Sequence, residues 1–212
     1  MDILCHKGRF WNEVVVMAGA VGREAEKERF ELIDGKVVLM SPRPRINHAR
    51  ISGAIYFAFA RYLQGKRCEP FCDGVDVYLD EKNHFIPDVM IVCNPDQVKE
   101  THIEGAPALV VEVLSVSTQF RDRGVKMHAY AAAGVQEYWL VNPNDKSIEV
   151  YLNHEGTFVL DNIYNWFTEE QRQENDAAPV EQKLAAELLP REIPVSLYDD
   201  FRIPLADIFA RI

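Results

Sequence analysis

Leu109-Val-Val-Glu-Val-Leu114 is an apolar run interrupted by a single carboxylate, and it decides how this chain folds. Runs this apolar are typical of a central strand that is covered on both faces. An ionised carboxylate left there without a partner costs roughly several kcal/mol. Ile86-Pro-Asp-Val-Met-Ile-Val92 repeats the pattern with Asp88. We therefore expect Asp88 and Glu112 to face a cleft, a cation or both.

A helical stretch, Asp122-Arg-Gly-Val-Lys126-Met-His-Ala-Tyr130, begins ten residues after Glu112. Its Asp122, Lys126 and Tyr130 recur every four residues, so a helix places them on one face. A helix that follows a central strand and leads to the next strand packs on their sheet. The sequence thus predicts a lysine near the two strand carboxylates.

The remaining pattern predicts an α/β domain with a mixed central β-sheet flanked by helices. An amphipathic helix is predicted over residues 11–28, and Asp34-Gly35 supplies the positive φ angles of a two-residue hairpin turn. Asn47 can cap a helix that runs to about Leu63. The predicted strands cover residues 29–33, 36–40, 68–71, 75–79, 86–93, 108–115, 137–141 and 147–152, and a helix over 120–133 ends at Gly134.

Residues 1–212 are predicted to form one domain, because a chain of this length buries a substantial core. Residues 161–192 hold eight acidic and three basic residues and are predicted to be an acidic insertion. Residues 193–212 are predicted to return to the core as a short strand and a helix. No apolar run approaches the length of a membrane-spanning helix, and the first residues lack the apolar region of a signal peptide. We therefore expect a cytoplasmic protein that does not enter a membrane.

The cysteines are expected to be reduced in that compartment. Cys5, Cys68, Cys72 and Cys93 are predicted to be free thiols that pack as small apolar side chains. Cys68 and Cys72 are spaced closely enough to bind zinc, but the chain has no second close pair, so this alternative is the weaker one.

Charge is distributed unevenly along the chain. The net charge of −10 argues by itself against a nucleic-acid partner. However, residues 41–68 contain no acidic residue and six basic ones, namely Arg43, Arg45, Arg50, Arg61, Lys66 and Arg67. This stretch is either a phosphate-binding surface, with Arg43, Arg45 and Arg50 as the DNA contacts, or an ordinary solvated helix face.

Two strand carboxylates and a nearby lysine are what metal-assisted hydrolysis of a phosphodiester needs. Mg²⁺ prefers carboxylate, carbonyl and water oxygens, so Asp88, Glu112 and the Val113 carbonyl are the predicted ligands of Mg²⁺ or Mn²⁺. Lys126 is the predicted group that stabilises charge at the phosphate and lowers the pKa of the attacking water. Structural alternatives are a turn at Asp88 after the proline and a buried salt bridge between Glu112 and Lys126.

Four further residues are assigned supporting roles. Asp122 would orient Lys126 across one helical turn, although such a pair is also common on helix surfaces. Tyr130 is more often a core aromatic residue than a catalytic one. Glu31 fits either a solvated strand position or a third acid at the metal. His48 fits a phosphate contact or a residue at a helix N-terminus.

The motifs, taken in order, resemble the PD-(D/E)XK nuclease superfamily and, within it, the Uma family of putative restriction endonucleases. Pro87-Asp88 is followed 24 residues later by Glu112 in an apolar strand, as in the superfamily pattern. The residues that carry the resemblance are Phe30-Glu-Leu-Ile-Asp-Gly35, Met40-Ser-Pro42, His48, Pro87-Asp88, Gly105-Ala-Pro107, Val111-Glu-Val-Leu-Ser115, Asp122, Lys126, Tyr130 and Gly134-Val-Gln-Glu-Tyr-Trp139. They span about residues 10–160 and, more loosely, the tail.

The resemblance implies a restriction-endonuclease-like fold, Mg²⁺-dependent cleavage of DNA and, often, a homodimer. The superfamily pattern has a lysine two positions after the glutamate, where this chain has Leu114. The branch that it resembles carries this lysine on the following helix, which matches Lys126. The leading prediction is a metal-dependent DNA endonuclease. The alternatives are a non-catalytic nucleic-acid-binding or scaffold protein that keeps the nuclease fold and, more weakly, a hydrolase of RNA or nucleotides.

Overall fold

The computed structural model describes residues 29–40, 45–72 and 74–212. The helix predicted over residues 11–28, the predicted DNA contact Arg43 and Cys5 lie outside the described residues. Among the helices that are described, none is long and apolar enough to cross a membrane.

Thirteen strands are described, and most of them belong to two sheets. In chain order they are β1 (Phe30–Ile33), β2 (Lys36–Leu39), β3 (Glu69–Cys72), β4 (Asp76–Tyr78), β5 (His84–Phe85), β6 (Val89–Val92), β7 (His102–Glu104), β8 (Leu109–Val113), β9 (Glu137–Asn142), β10 (Ser147–His154), β11 (Thr157–Asn165), β12 (Glu192–Pro194) and β13 (Arg202–Pro204). The central sheet has the order β11-β10-β9-β8-β6-β3, a second sheet has the order β2-β1-β5-β4-β7, and β12 pairs with β13.

The helices connect and cover these sheets. They are α1 (Ile46–Leu63), the helical segment α2 (residues 119–133), α3 (Glu169–Ala177) and α4 (Leu205–Phe209). The segment α2 is α-helical over Gln119–Arg121, π-helical over Asp122–Lys126 and α-helical over Met127–Ala133. Gly134 follows α2 with a φ of 99°, a left-handed conformation that glycine adopts without steric cost.

The central sheet is covered on both faces, as the apolar sequences of β6 and β8 predict. On one face, Phe59 of α1 and Phe209 of α4 pack with Trp139 in one buried cluster. On the other face, Tyr130 of α2 and Phe85 of the second sheet belong to a separate buried cluster. The strands β8 and β9 are parallel, whereas the other described pairs in this sheet are antiparallel. The segment α2 is therefore the predicted crossover between two neighbouring parallel strands.

Most predicted elements are confirmed, including the hairpin whose turn residues Asp34 and Gly35 have φ angles of 48° and 74°. Several details differ. The hairpin joins a second sheet that the sequence pattern did not predict. Arg45, not Asn47, occupies the position that precedes α1, and it makes no side-chain cap. Asp88 lies one residue before β6 rather than inside a strand.

Residues 161–165 complete β11, so this part of the predicted acidic insertion is strand. The rest contains α3, which begins with a capping box of Thr168 and Gln171, and two short 3₁₀ turns. The Arg172 guanidinium donates hydrogen bonds of 2.8 Å to the carbonyls of Leu189 and Pro190. The tail then forms β12, β13 and α4, one strand more than expected.

The prediction of free thiols is wrong for two cysteines. Cys68 and Cys93 form a disulfide between residues that flank the antiparallel pair β3 and β6, where Glu69 faces Val92. Their separation of 25 residues gives no hint that they face each other across the sheet. Cys72 is an exposed free thiol, and Cys68 is not available as its partner at a zinc ion.

Candidate active site

A cleft of about 870 Å³ opens between the N-terminus of α1, the end of β8 and the first half of α2. Its walls include eight of the residues predicted from the sequence, namely Glu31, Arg45, His48, Asp88, Glu112, Val113, Asp122 and Lys126. Residues from five separate stretches of sequence therefore meet at one opening.

Asp88 and Glu112 are neighbours because of the register between β6 and β8. Val89 faces Val111, so Asp88, one residue earlier, comes opposite Glu112. The backbone N–H of Val113 donates a 2.7 Å hydrogen bond to Asp88 Oδ2. His48 Nε2 at the start of α1 lies 3.1 Å from the same oxygen. The Asp88 carboxylate is thus fixed in place from both sides.

Lys126 lies at the centre of a buried group of acids. Its Nζ is 2.7 Å from Glu112 Oε1, 2.9 Å from Glu31 Oε1 and 3.5 Å from Asp122 Oδ1. All four side chains are buried. We call these residues, Glu31, Glu112, Asp122 and Lys126, the lysine-centred cluster. With one ammonium group among three carboxyl groups, the cluster attracts further positive charge.

Burial and charge act in opposite directions on these groups. Burial alone lowers the pKa of Lys126, but the Glu112, Glu31 and Asp122 carboxylates outweigh it and raise that pKa, so the ammonium stays protonated. Burial raises the pKa of Glu112 well above its usual range, and Lys126 opposes that rise. Burial likewise raises the pKa of Asp122. A cation that enters the cleft would favour the ionised form of both acids.

Hydrogen bonds from outside the cluster hold it in place. The Tyr130 hydroxyl donates to Glu112 Oε1 at 3.0 Å, and the Ile86 backbone N–H donates to Glu31 Oε1 at 3.2 Å. The Tyr138 hydroxyl, from β9, donates to the backbone carbonyl of Asp122 at 3.0 Å. The role of Tyr138 is not evident from the sequence, since its position in an apolar strand is that of any core aromatic residue.

The π-helical turn Asp122–Lys126 is a second feature that the sequence did not reveal. The four-residue spacing of Asp122, Lys126 and Tyr130 predicted one helix face, and all three side chains do point into the protein interior. The turn between Asp122 and Lys126 is nevertheless wider than an α-helical one. Turns of this kind are rare and occur frequently at functional sites.

The donor atoms at the cleft fit a hard divalent cation. Among the described residues, only Oδ2 of Asp88 and only Oε1 of Glu112 take part in hydrogen bonds or ion pairs. The second oxygen of each carboxylate is therefore available to a ligand. No group of three His, Cys, Asp or Glu side chains within residues 29–40, 45–72 and 74–212 forms a metal site by itself. Mg²⁺ suits such a place, because it binds through one or two carboxylates and keeps several waters.

The basic residues divide into two groups. Arg45, one of the predicted DNA contacts, lines the cleft, and so do Arg29 and Arg121, which were not predicted as contacts. Arg50 lies outside the cleft wall and donates hydrogen bonds to the Arg211 carbonyl at 3.1 Å and to Asn47 Oδ1 at 3.4 Å. In the sequence, the only sign that Arg121 would line the cleft was its position directly before Asp122.

Three comparisons place the chain among known proteins. The family model described as "Uma2: Putative restriction endonuclease" matches residues 11–188. The uncharacterized protein slr1290 of Synechocystis is 34% identical over 140 residues, which are 65% of this chain and 73% of that protein. The crystal structure of a putative nuclease of DUF820 from Anabaena variabilis has a TM-score of 0.64 at 15% identity, covering 92% of this chain and 97% of that one. This likeness confirms the predicted nuclease-like fold.

Proposed function

We propose that this chain, which belongs to the Uma2 family of putative restriction endonucleases, is a metal-dependent endonuclease that hydrolyses phosphodiester bonds in DNA. Membership of this family supports a nuclease role. The observation that carries the proposal is the meeting of Asp88, Glu112 and Lys126 at one cleft, with Lys126 Nζ 2.7 Å from Glu112 Oε1.

Asp88 and Glu112 are the residues that would hold Mg²⁺ or Mn²⁺, and the Val113 carbonyl is the third proposed ligand. When bound there, the ion would neutralise charge on the scissile phosphate and lower the pKa of an attacking water. The excess of carboxylates in the lysine-centred cluster favours a divalent cation over a further ammonium group, since it offers hard oxygen ligands.

Lys126 supplies a fixed positive charge beside the reacting phosphate. Its raised pKa keeps it protonated, and its burial reduces the screening of its charge by water. Tyr130 and Glu31 act through Glu112 and Lys126, because they hold the two side chains in their present orientation. His48 positions Asp88.

The DNA would approach through the basic residues at the cleft. Arg45 and Arg121 are the proposed phosphate contacts, since both line the opening and guanidinium groups bind phosphate oxygens well. Their contribution should weaken as the salt concentration rises. A homodimer, which the family resemblance implies, is also proposed, and sedimentation velocity of the purified protein tests it.

Cleavage of supercoiled and linear duplex DNA tests the function. Purified protein is incubated with Mg²⁺, Mn²⁺ or EDTA, together with the variants Glu112→Gln and Lys126→Ala. Glu169→Gln is the matched control, because Glu169 is exposed and forms its ion pair with Arg191 on the surface. We expect cleavage that needs the metal, is lost in both cleft variants and is retained in the control. Unchanged cleavage by an Asp88→Ala/Glu112→Ala double variant would refute the proposal.

A non-catalytic nucleic-acid-binding protein is the second candidate. It is favoured by the ion pair between Lys126 and Glu112, which neutralises part of the acidic charge without any metal. If this candidate is correct, the Lys126→Ala variant would still bind DNA, and EDTA would not change DNA binding. Isothermal titration with Mg²⁺ separates the two, because only a metal-binding site gives a saturable binding isotherm that disappears in Asp88→Asn.

A further inference from the structure

One face of the hairpin β1–β2 is apolar and exposed. Phe30, Val37 and Leu39 are 44%, 64% and 59% exposed. The register of the hairpin places Phe30 opposite Leu39 and Leu32 opposite Val37, so these four side chains share one face. A sheet face that lies against water is typically polar. This face instead has the composition of one that another layer of the protein covers.

The apolar face continues from the hairpin into the next two strands of the second sheet. Leu32 lies opposite His84 of β5, and His84 lies opposite Tyr78 of β4, so these side chains extend the same face. The Phe30 ring meets the His84 ring edge-on with 5.7 Å between centroids, and the Tyr78 ring stacks on His84 at 4.4 Å. Several adjoining exposed apolar side chains mark an interaction surface. We call Phe30, Leu32, Val37, Leu39 and Tyr78 the outer apolar face.

The opposite face of the hairpin is occupied. Glu31 and Ile33 are buried there, and Glu31 Oε1 lies 2.9 Å from Lys126 Nζ. Successive side chains of a strand point to opposite sides, so Phe30 and Leu32 point away from the lysine-centred cluster. The hairpin is therefore a layer that has the cluster on its inner side and the outer apolar face on its other side.

The chain directly before β1 has the sequence that this face requires. Residues 11–28 lie outside the described residues, and their sequence predicts an amphipathic helix. The apolar residues at helical spacing are Trp11, Val14, Ala18, Val21 and Ala25. A helix of this length spans about 27 Å, and the four strands from β2 to β4 span about 15 Å, so it can cross the whole face. Only Arg29 separates the segment from Phe30, so the segment is attached at the edge of the face.

We propose that residues 11–28 dock as an amphipathic helix on the outer apolar face. The attachment favours this occupant over a second copy of the chain, because a tethered segment is present at a high effective concentration. Docking completes the layers on this side of the molecule and holds the hairpin, and with it Glu31, from the outside. The inference concerns how the chain covers its own surface, so it does not depend on the proposed function.

Hydrogen exchange of the full chain, followed by mass spectrometry, tests the docking. We expect the backbone amides of residues 11–28 to exchange slowly in the wild type, since a docked helix rarely opens. Val37→Asp/Leu39→Asp should reduce this protection by at least about tenfold, because two apolar contacts are lost. Val180→Asp/Leu188→Asp is the matched control, since it introduces the same charges at an exposed valine and an exposed leucine elsewhere. The amides of β8 should stay protected in every variant, which shows that the central sheet is folded.

The reciprocal variant Val14→Asp/Val21→Asp leaves the sheet unchanged and should lower the protection of β1 and β2. It gives the answer even if Val37→Asp/Leu39→Asp fails to fold. Fast exchange of residues 11–28 in the wild type, or no change of protection in β1 and β2, would overturn the proposal. Sedimentation velocity tests the other occupant, because a dimer that Val37→Asp/Leu39→Asp converts to a monomer would assign the outer apolar face to a second copy of the chain.

Discussion

Glu112 and Glu137 are buried carboxylates in adjacent strands of one sheet, and their surroundings differ sharply. In the register of β8 and β9, Glu112 faces Leu140 and Leu109 faces Glu137. Glu112 is 4% exposed and Glu137 is fully buried. Glu112 lies on the face covered by α2, where it contacts the Lys126 ammonium and opens toward the cleft.

Glu137 lies on the opposite face, and neutral donors surround it. The Trp139 indole donates a 2.7 Å hydrogen bond to Glu137 Oε1, while the Ser196 backbone N–H donates to Oε2 at 2.9 Å. The bond from Ser196 attaches the C-terminal segment to the sheet. A carboxylate in an apolar strand therefore does not by itself mark a functional site. The distinguishing features are a cation, surplus acids and an opening to solvent.

The largest expected effect is that of removing the cation. Lys126→Met keeps the length of the side chain but leaves the acids of the lysine-centred cluster without a counter-charge. We expect the free energy of unfolding to fall by about 3–5 kcal/mol, as measured by urea denaturation. Lys99→Met is the control, since the exposed pair of Lys99 and Glu104 should contribute at most about 1 kcal/mol. A loss of less than about 1 kcal/mol in Lys126→Met would show that the acids around Lys126, like Glu137, do not need a cation for stability.

The second-largest expected effect is stabilisation by a divalent metal, which should involve Glu112 and not Glu137. If Asp88 and Glu112 bind Mg²⁺, the folded state gains about 2.7 kcal/mol at a hundredfold excess over Kd. Thermal melting with Mg²⁺ and with EDTA measures this gain. We expect it to vanish in Asp88→Asn and to persist in Glu137→Gln, since Glu137 does not line the cleft. Equal responses in the two variants would contradict the assignment.

The pH dependence of stability tests Glu137 itself. Burial raises the pKa of Glu137, against the hydrogen bonds from Ser196 and Trp139 that lower it. A group with a raised folded-state pKa stabilises the protein below the ordinary glutamate pKa, and this contribution is lost as the pH rises through the raised value. The stability of the wild type relative to Glu137→Gln should therefore decrease from about pH 4 toward neutral pH, by about 1.4 kcal/mol for each unit of elevation.

Urea denaturation at a series of pH values measures that decrease. Glu169→Gln serves as the control with the opposite sign, because its hydrogen bond with Arg191 lowers the pKa of Glu169. A difference between wild type and Glu137→Gln that stays constant with pH would show that Glu137 titrates normally in the folded protein.

The smallest expected effect concerns the π-helical turn. Tyr138→Phe removes the hydrogen bond to the Asp122 carbonyl and should cost about 1 kcal/mol of stability. Since that bond fixes the turn that carries Lys126, we expect slower cleavage with unchanged DNA affinity. Tyr151→Phe, which loses a 2.7 Å hydrogen bond to Glu149 outside the cleft wall, should leave the cleavage rate unchanged. Equal rates in both variants would limit Tyr138 to a structural role.

The sequence predicted the central strands, the crossover and the meeting of Glu112 with Lys126, because apolar runs and helical spacing are local signals. It assigned no role to Glu137, although Glu137 is, like Glu112, a single carboxylate at an apolar strand. The difference arises from Ser196 and Lys126, which are distant in the chain. The π-helical turn and the Cys68–Cys93 disulfide were missed for the same reason, as each depends on contacts across the sheet.

The position of strand β11 at the edge of the central sheet affects how readily the protein is expected to aggregate at high concentration. It is the outermost of the described strands in the central sheet, and an outer strand can pair with another molecule through its backbone. The exposed apolar residues along it are Val159, Leu160 and Ile163. Asp161 interrupts them, and a register shift in β10 between Val150 and Tyr151 distorts the neighbouring ladder. We therefore expect Asp161 and this register shift together to limit the pairing of β11 with another molecule.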